Sequence, residues 1–471
     1  MATGGHMPSA RRLTVEVSIA GLAGLLAGVL AGAMVASDLA RVPLWLVAPF
    51  AALLVAIATG PLFLTSAWHR HYPSVAFGLG FLVFGYYLSG FGDAAAGFAP
   101  MSHAVVEYVA FIALVGGLFL ASAGIVVDLK NPAGPAANTI LLGVGAVLAN
   151  VIGTTGASLL LIRPFLKANS GRLTPLHAIF FIFIVSNCGG SLTPIGDPPL
   201  YLGYLKGVPF FWTLTNLWQN WALVVGLLLA AFFVMDTLAE RRRMKDPAVP
   251  GARMLPSIAV RARPLSIVLL LAIVACVFVD PLLHRLGVHL HAPVGAIIQI
   301  VLGVNAFLLA PRENIRANGF TFDPLKEVGL LFVGIFLTMV PALAYLSQNG
   351  SRLGDPSPAV YYFATGALSA VLDNAPTYLN FLQLSVVPQE VNAISIASLL
   401  AERSGARTLV AISTGAVFFG AMTYIGNGPN FMVRSICESS GLPMPSFFKY
   451  AAWACAILLP ILVIHWALLI R

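Results

Sequence analysis

One short pattern occurs twice in this chain, and each copy interrupts a long apolar run. Residues 193–199 read Thr-Pro-Ile-Gly-Asp-Pro-Pro, and residues 423–429 read Thr-Tyr-Ile-Gly-Asn-Gly-Pro. In a lipid bilayer, unwound backbone leaves N–H and C=O groups without partners, which costs free energy. A chain tolerates such a break only where it lines a cavity or binds something. Two matched breaks in two halves are typical of a transporter's binding site.

The composition is that of a protein embedded in a membrane. Hydrophobic residues make up 59% of 471 positions and charged residues only 9%, whereas about 25% of residues are charged in a typical soluble domain. The net charge of +8 comes from basic residues between the apolar runs, where they encode orientation in the membrane. We therefore expect a lipid bilayer around the chain and no nucleic-acid partner. The four cysteines show no C-x-x-C spacing, so they indicate no metal or redox site.

The fold class that follows is an all-α polytopic membrane protein. At about 20 apolar residues per span, the sequence predicts eleven transmembrane helices. These lie near 15–36, 44–64, 74–92, 104–126, 264–284, 292–310, 326–347, 408–436 and 447–470, with two more centred near 188 and 224. Two other segments, 137–165 and 358–386, are long and carry helix breakers at their midpoints. They predict two re-entrant hairpins, each entering and leaving on the same side.

The order of elements repeats in the two halves. Residues 117–120 precede the first hairpin as residues 334–337 precede the second, and each hairpin is followed by a break. Because each half has five crossings, an odd number, the second must be inverted relative to the first. The predicted domains are an N-terminal tail and first span, 1–36; a first inverted repeat, 37–239, with hairpin 137–165 and broken helix 175–205; a basic cytoplasmic linker, 240–263; and a second inverted repeat, 264–471, with hairpin 358–386 and broken helix 408–436.

The distribution of basic residues predicts the orientation. One set of loops holds most of them, including residues 241–243, Lys130 and Lys167, while the opposite set holds scattered ones such as Arg41. Positive charge marks the cytoplasmic side. We therefore expect a multi-pass protein of a bacterial inner membrane with a cytoplasmic N-terminus.

Asp197 is the carboxylate of the first break. An ionisable group near the bilayer centre is costly and usually functional, so Asp197 is a candidate to bind a proton or a cation. It could equally cap the second half-helix, which begins with Pro198, and the two roles are compatible. Free carbonyls in a break can bind Na⁺, and half-helix N-termini can bind an anion. The simpler alternative for the break is an ordinary proline kink.

Asp373 is a second candidate carboxylate, at the tip of the second hairpin, whereas the first hairpin offers neutral groups such as Thr154 and Thr155. If Asp197 and Asp373 face one cavity, burial favours their protonated forms and an arriving cation displaces the proton. The alternative is that Asp373 lies in water at the hairpin mouth. Arg163 is a candidate to neutralise an anionic substrate, or it extends to the interface. His177 and His465 are assigned no role.

Other classes of protein find little support in these residues. The chain has no phosphate-binding loop pattern and no soluble stretch long enough for an ATPase domain. Unless a separate subunit supplies ATP hydrolysis, ion gradients would have to drive transport. Nothing resembles a nucleophile beside a base, so we do not expect an enzyme.

With these residues in hand, the chain resembles the ion transporter superfamily, which groups sodium-coupled dicarboxylate carriers, citrate carriers, arsenite pumps and one type of sodium/proton antiporter. The residues of its motif are most similar to those of the sodium/proton antiporters in the citrate-carrier-like branch of that superfamily. There a Ser-Asn-x-Gly-Gly…Thr-Pro-Ile-Gly-Asp-Pro-Pro stretch is typical, and residues 186–199 match it. The resemblance covers nearly the whole chain. It implies a homodimer with an elevator-like movement, and ion and substrate sites at the hairpin tips and breaks.

The residues and the resemblance together give one set of candidate ion- and substrate-binding positions. They are Asn150, Thr154, Thr155, Asn187, Thr193, Gly196, Asp197, Asp373, Asn374, Thr377, Thr423, Gly426 and Asn427. Within this set, the candidate Na⁺ ligands are Asn150, Gly196, Asp197, Asn374 and Gly426.

The chain departs from the dicarboxylate carriers at the hairpin tips. Those carriers have Ser-Asn-Thr at both tips, whereas residues 149–151 here read Ala-Asn-Val and residues 373–375 read Asp-Asn-Ala. This difference favours a cation. The sequence therefore predicts a gradient-driven cation/proton antiporter, Na⁺ for H⁺, with no cofactor besides these ions. The alternative is a Na⁺- or H⁺-coupled symporter of citrate or another small carboxylate.

Overall fold

The structure, a computed structural model, describes residues 10–35, 42–91, 94–129, 133–243, 258–288 and 292–471. It is 81% helix, which confirms the all-helical character predicted from the sequence. Part of the predicted N-terminal tail (1–9), much of the basic linker (244–257), Arg41 and Lys130 lie outside the described residues.

The helices follow from the apolar runs, and several begin at a proline. Pro135, Pro175, Pro198, Pro264 and Pro358 each start a helix, because their fixed φ suits the first turn and their missing N–H has no partner there. In chain order the helices are α1 (Ala10–Met34), α2 (Ala48–Phe63), α3 (Thr65–Ser89), α4 (Ala94–Ser122), α5 (Pro135–Ala168), α6 (Pro175–Ile184), α7 (Pro198–Leu205), α8 (Phe210–Arg243), α9 (Pro264–Ala275), α10 (Val279–Arg285), α11 (Val294–Leu309), α12 (Arg312–Ala317), α13 (Asp323–Asn349), α14 (Pro358–Ser369), α15 (Asn374–Leu384), α16 (Ala393–Ala401), α17 (Arg403–Phe419), α18 (Gly428–Ser439) and α19 (Phe447–His465). Short 3₁₀ helices lie at Leu44–Val47, Cys188–Leu192, Cys276–Phe278, Gly350–Leu353 and Gly420–Met422, and one π-helical turn lies at Trp466–Ile470.

A small sheet adds to the all-α fold that the sequence predicts. Strands β1 (Val126–Leu129) and β2 (Ile258–Arg261) pair antiparallel, with Val126 opposite Arg261. The Arg261 Nε donates to Asp128 Oδ2 at 2.5 Å. The apolar residues of these segments are mostly β-branched, which suits a strand, and the segments are too short for the span-length criterion to detect.

Within the described ranges, eleven helices are long and apolar enough to cross a membrane, the number that the sequence predicts. The set of predicted spans and the set of observed long helices differ at two segments. The predicted span 292–310 is helix α11, which has 16 residues, fewer than the about 20 needed for a crossing. Helix α5, expected to form a hairpin, has the length and composition of a span.

Helix α5 nevertheless folds back on itself. The Asn138 Nδ2 donates to Asn169 Oδ1 at 2.8 Å, although the two residues are 31 positions apart, a separation of about 46 Å along a straight helix. The Ala133 N–H likewise donates to the Ala168 carbonyl at 2.9 Å. The reversal occurs at Gly153, whose φ of 77° and ψ of 155° leave the helical region, a conformation that favours glycine.

The chain forms two compact units. The first comprises Met1–Ala110, Phe322–Pro356 and Leu379–Glu402, and the second comprises Phe111–Thr321, Ser357–Tyr378 and Arg403–Arg471. Every candidate site residue belongs to the second unit. The predicted division into a tail, two inverted repeats and a linker stays a prediction.

In the first unit, α1 and α3 approach each other closely through glycines. A Cβ atom on Gly28 would collide with the carbonyl of Leu82 and would lie 2.8 Å from the Tyr86 nitrogen. A Cβ atom on Gly24 would likewise collide with the carbonyl of Gly78. Membrane helices use small residues at such crossings because van der Waals packing drives their association.

Replacing Gly28 by leucine is expected to lower the free energy of unfolding by about 1–3 kcal/mol or more, because the added side chain forces the helices apart. The apparent melting temperature of the purified protein in detergent measures the effect. Gly226→Leu in α8 is the matched control, since a Cβ atom there meets nothing within 4 Å. Equal melting temperatures for the two variants would contradict this account of the α1–α3 crossing.

Candidate functional site

The first matched pattern is unwound backbone between two helices. Helix α6 ends at Ile184, the 3₁₀ helix Cys188–Leu192 follows, and α7 begins only at Pro198. The Thr193 hydroxyl donates to the Asn150 carbonyl at 2.6 Å, and the Thr154 N–H donates to the Gly196 carbonyl at 2.8 Å. The fold-back in α5 thus satisfies backbone groups that the break exposes.

The second pattern has the same arrangement between α17 and α18. The Thr423 hydroxyl donates to the Ala370 carbonyl at 2.6 Å, and the Asn374 N–H donates to the Gly426 carbonyl at 3.2 Å. By these hydrogen bonds, Asn374 at the second break occupies the position that Thr154 occupies at the first. The sequence instead pairs Asn150 with Asn374, because it matches identical side chains. The backbone hydrogen bonds correct that pairing by four residues.

Asp197 lies where the fold-back of α5, the start of α15 and the second break meet. Its Oδ1 accepts hydrogen bonds from Thr154 Oγ1 at 2.8 Å and Asn427 Nδ2 at 2.9 Å, and its Oδ2 accepts one from Asn374 Nδ2 at 2.7 Å. Only 1% of the residue is exposed. No ion pair among the described residues includes Asp197. A buried carboxylate is therefore held by neutral donors alone.

Asp197 and Asn427 both directly precede a helix, but neither side chain caps it. Each residue has extended backbone and makes no side-chain hydrogen bond to the following helix, α7 or α18. The two side chains bond to each other instead. Asp197 therefore has the position of a capping residue, but its carboxylate bonds to Thr154 and Asn374 and not to the first turn of α7.

Asn374 brings a free acceptor to this carboxylate. Its Nδ2 donates to Asp197, while its Oδ1 is buried and accepts no hydrogen bond in the structure. A carboxylate has about four acceptor positions, and Asp197 uses three of them for side-chain partners. Hard cations bind oxygen ligands of this kind. Asp197 and Asn374 are thus the pair best placed to receive a proton or a small cation.

The other predicted Na⁺ ligands already accept hydrogen bonds. The Gly196 and Gly426 carbonyls accept backbone N–H groups, and Asn150 Oδ1 accepts the Leu192 N–H at 2.8 Å. Each of these oxygens has a second lone pair. Na⁺ binding at these three positions stays a prediction.

A chain of amides joins the two breaks. Asn427 Nδ2 donates to Asn187 Oδ1 at 3.2 Å, and Asn187 Nδ2 donates to Asn430 Oδ1 at 2.6 Å. Asn430 Nδ2 in turn donates to the carbonyls of Gly420 and Thr423. Sequence analysis missed Asn430, although a polar residue three positions after Asn427 in a buried segment is a usable signal.

Asp373 and its neighbours make local contacts. The Asp373 carboxylate accepts the Ala375 N–H at 3.0 Å, and its carbonyl accepts the Thr377 hydroxyl at 2.9 Å. The residue is half-buried, and its carboxylate is not among the hydrogen-bond partners of Asp197. Thr155 is half-buried and also lies outside that set. Their roles in ion binding stay predictions.

Arg163 and His465 have partners that the sequence does not reveal. Arg163 Nε donates to the Asn318 carbonyl at 2.8 Å, so its guanidinium is engaged by backbone. His465 is fully buried and bonds to the Tyr362 hydroxyl at 2.9 Å and to Asn220 Oδ1 at 2.8 Å.

A buried ionic cluster fixes the two ends of α5, and sequence analysis missed it. Arg172 forms an ion pair with Asp236, and its Nε lies 3.1 Å from Glu240 Oε2. His177 Nε2 lies 3.3 Å from Asp236 Oδ1, and Asn138 Nδ2 donates to Asp236 Oδ2 at 3.1 Å. These residues are far apart in sequence and stand near the ends of apolar runs, where charges are ordinary. Their convergence holds the ends of α5, α6 and α8 together.

Comparison with known proteins gives a family and a relative. A family model described as "Putative citrate transport" matches residues 39–470. The chain is also 26% identical over 331 residues to a protein of Mycobacterium leprae (strain TN) described as "46 kDa membrane protein". That match covers 66% of this chain and 70% of the relative.

Asp236→Ala is expected to lower the free energy of unfolding by about 3–5 kcal/mol, because it removes a partner of the buried Arg172. Asp323→Ala is the matched control: its carboxylate is 58% exposed and lies 3.8 Å from Lys326, so the loss is at most about 1 kcal/mol. Thermal unfolding in detergent compares the two. If both variants have the same melting temperature as the wild type, the cluster does not stabilise the protein.

Proposed function

The chain belongs to the family described as "Putative citrate transport" and is a membrane transporter; from that premise we propose that it exchanges Na⁺ for protons. One observation carries the proposal. The Asp197 carboxylate is buried and held by three neutral donors, without an ion-pair partner among the described residues.

An uncompensated charge in this environment is costly, because burial removes the water that would solvate it. Either a proton or a small cation can neutralise this charge. Because both act on the same charge, binding of one favours release of the other. Competition at Asp197 would therefore couple the movement of Na⁺ to the opposite movement of H⁺. The free oxygen of Asn374 supplies a second ligand for the cation.

The proposed architecture is two inverted repeats, each with a re-entrant hairpin and a broken helix. The fold-back at Gly153 and the matched hydrogen bonds of Thr154 to Gly196 and of Asn374 to Gly426 support it. Unwound backbone at membrane depth needs such internal partners. The proposal also includes a homodimer and an elevator-like movement, which the resemblance implies. It places the protein in an inner membrane with a cytoplasmic N-terminus, on the distribution of basic residues.

A second candidate is Na⁺- or H⁺-coupled symport of citrate or another small carboxylate, which the family description favours. Asp197 would repel such an anion until a proton or Na⁺ neutralises it, so the coupling ion would bind first. Uptake of labelled citrate driven by a sodium gradient separates this candidate from the antiporter.

Asp197→Asn is expected to abolish Na⁺-dependent proton movement, because an amide cannot exchange a proton for a cation. The measurement is internal pH in proteoliposomes during Na⁺, Li⁺ and K⁺ pulses. Asp323→Asn is the matched control, since its carboxylate is 58% exposed, lies 3.8 Å from Lys326 and is outside the candidate site. It should keep most of the wild-type flux.

One outcome would contradict the antiporter, and another would contradict the role of Asp197. If the wild-type protein gives no cation-dependent pH change across a range of pH, the antiporter is wrong and citrate symport becomes the proposed function. Equal flux from the wild type and Asp197→Asn would show that Asp197 takes no part in the exchange.

Asn374→Ala is expected to raise the KM for Na⁺ about tenfold or more, because it removes a hydrogen bond to a charged group and a candidate ligand. Asn305→Ala is the control, since Asn305 is exposed and its Nδ2 donates to the Val301 carbonyl of its own helix at 2.7 Å. An unchanged KM for Na⁺ in Asn374→Ala would mean that the amide takes no part in cation binding.

A further inference from the structure

The second helix after the first break, α8, donates a hydrogen bond back to that break. Trp221 lies on α8, and its Nε1 donates to the Gly189 carbonyl at 2.8 Å. The same carbonyl accepts Asn150 Nδ2 at 2.7 Å, so both of its lone pairs are used. Gly189 belongs to the 3₁₀ helix Cys188–Leu192, within the unwound segment that leads to Asp197.

The second helix after the second break, α19, makes the equivalent contact with a different aromatic residue. Tyr450 lies on α19, is fully buried, and donates its hydroxyl to the Ala421 carbonyl at 2.9 Å. Ala421 belongs to the 3₁₀ helix Gly420–Met422 of that break. The Tyr450 ring stacks on Tyr424 with centroids 4.1 Å apart.

We propose that Trp221 and Tyr450 are paired positioning residues for ion binding: each lies on the second helix after a break, α8 or α19, and fixes a carbonyl of that break's 3₁₀ segment. The inference rests on the proposed cation exchange at Asp197. Neither side chain is among the described hydrogen-bond partners of the Asp197 carboxylate, so each acts through the backbone that it holds.

Hydrogen bonds connect each aromatic donor to the site. From Gly189 the path runs through Asn150, whose carbonyl accepts Thr193, to the segment that ends at Asp197. Beside Ala421, the Gly420 carbonyl accepts Asn430, which bonds to Asn187 and through it to Asn427. An ion site must hold its ligands within fractions of an ångström. Loosening either 3₁₀ segment would therefore weaken cation binding.

The test uses Trp221→Phe and Tyr450→Phe, which keep an aromatic ring and remove the donor. Matched controls on the same helices are Trp218→Phe and Trp453→Phe, whose side chains are 53% and 43% exposed. Na⁺-dependent proton flux in proteoliposomes gives KM and maximal rate, normalised to folded protein. Each donor variant should raise the KM for Na⁺ about three- to tenfold with an unchanged maximal rate, the size of one hydrogen bond. The controls should match the wild type.

The remaining outcomes discriminate between explanations. Donor variants with a lower melting temperature but the wild-type KM would overturn the inference, because the residues would then only stabilise the fold. An unchanged KM in both variants with unchanged stability would also overturn it. Wild-type protein without any cation-dependent flux would instead contradict the proposed function.

Discussion

The environment of one buried carboxylate organises the site. Asp197 accepts hydrogen bonds from Thr154, Asn374 and Asn427, which come from the fold-back of α5, the start of α15 and the residue before α18. Four separate segments must therefore be brought together and kept together. Because these donors are neutral and no ion pair among the described residues includes Asp197, oriented dipoles hold the carboxylate rather than a counter-ion. We propose that a proton or a cation supplies the missing positive charge.

The unwound segments are possible because their backbone groups have partners. The Gly196 carbonyl accepts the Thr154 N–H, and the Gly426 carbonyl accepts the Asn374 N–H. Without these bonds each break would expose polar backbone at a cost that a membrane protein cannot easily offset. The same residues that satisfy the breaks also donate to Asp197, so the folding requirement and the proposed binding site use one set of contacts. The Arg172–Asp236 cluster adds stability at the ends of α5.

Local sequence patterns predicted the parts of this site that lie within single segments. The repeated pattern gave both breaks and Asp197, and the glycines at 153 and 156 predicted the reversal in α5. The sequence could not predict which residues face each other across 43 to 243 positions, as Thr154 faces Asp197 and Asn187 faces Asn430. Such contacts depend on tertiary packing, which hydrophobic periodicity does not encode. The same limit explains the incorrect pairing of Asn150 with Asn374 and the missed Arg172–Asp236 cluster.

The most direct test of the central claim is calorimetric titration of purified protein with Na⁺ in buffers of different ionisation enthalpy, which counts the protons released per ion bound. If Na⁺ and H⁺ compete for Asp197, wild-type protein will release protons as it binds Na⁺, and Asp197→Asn will release none. Na⁺ binding by the wild type without proton release, or equal release by the variant, would contradict competition at this carboxylate.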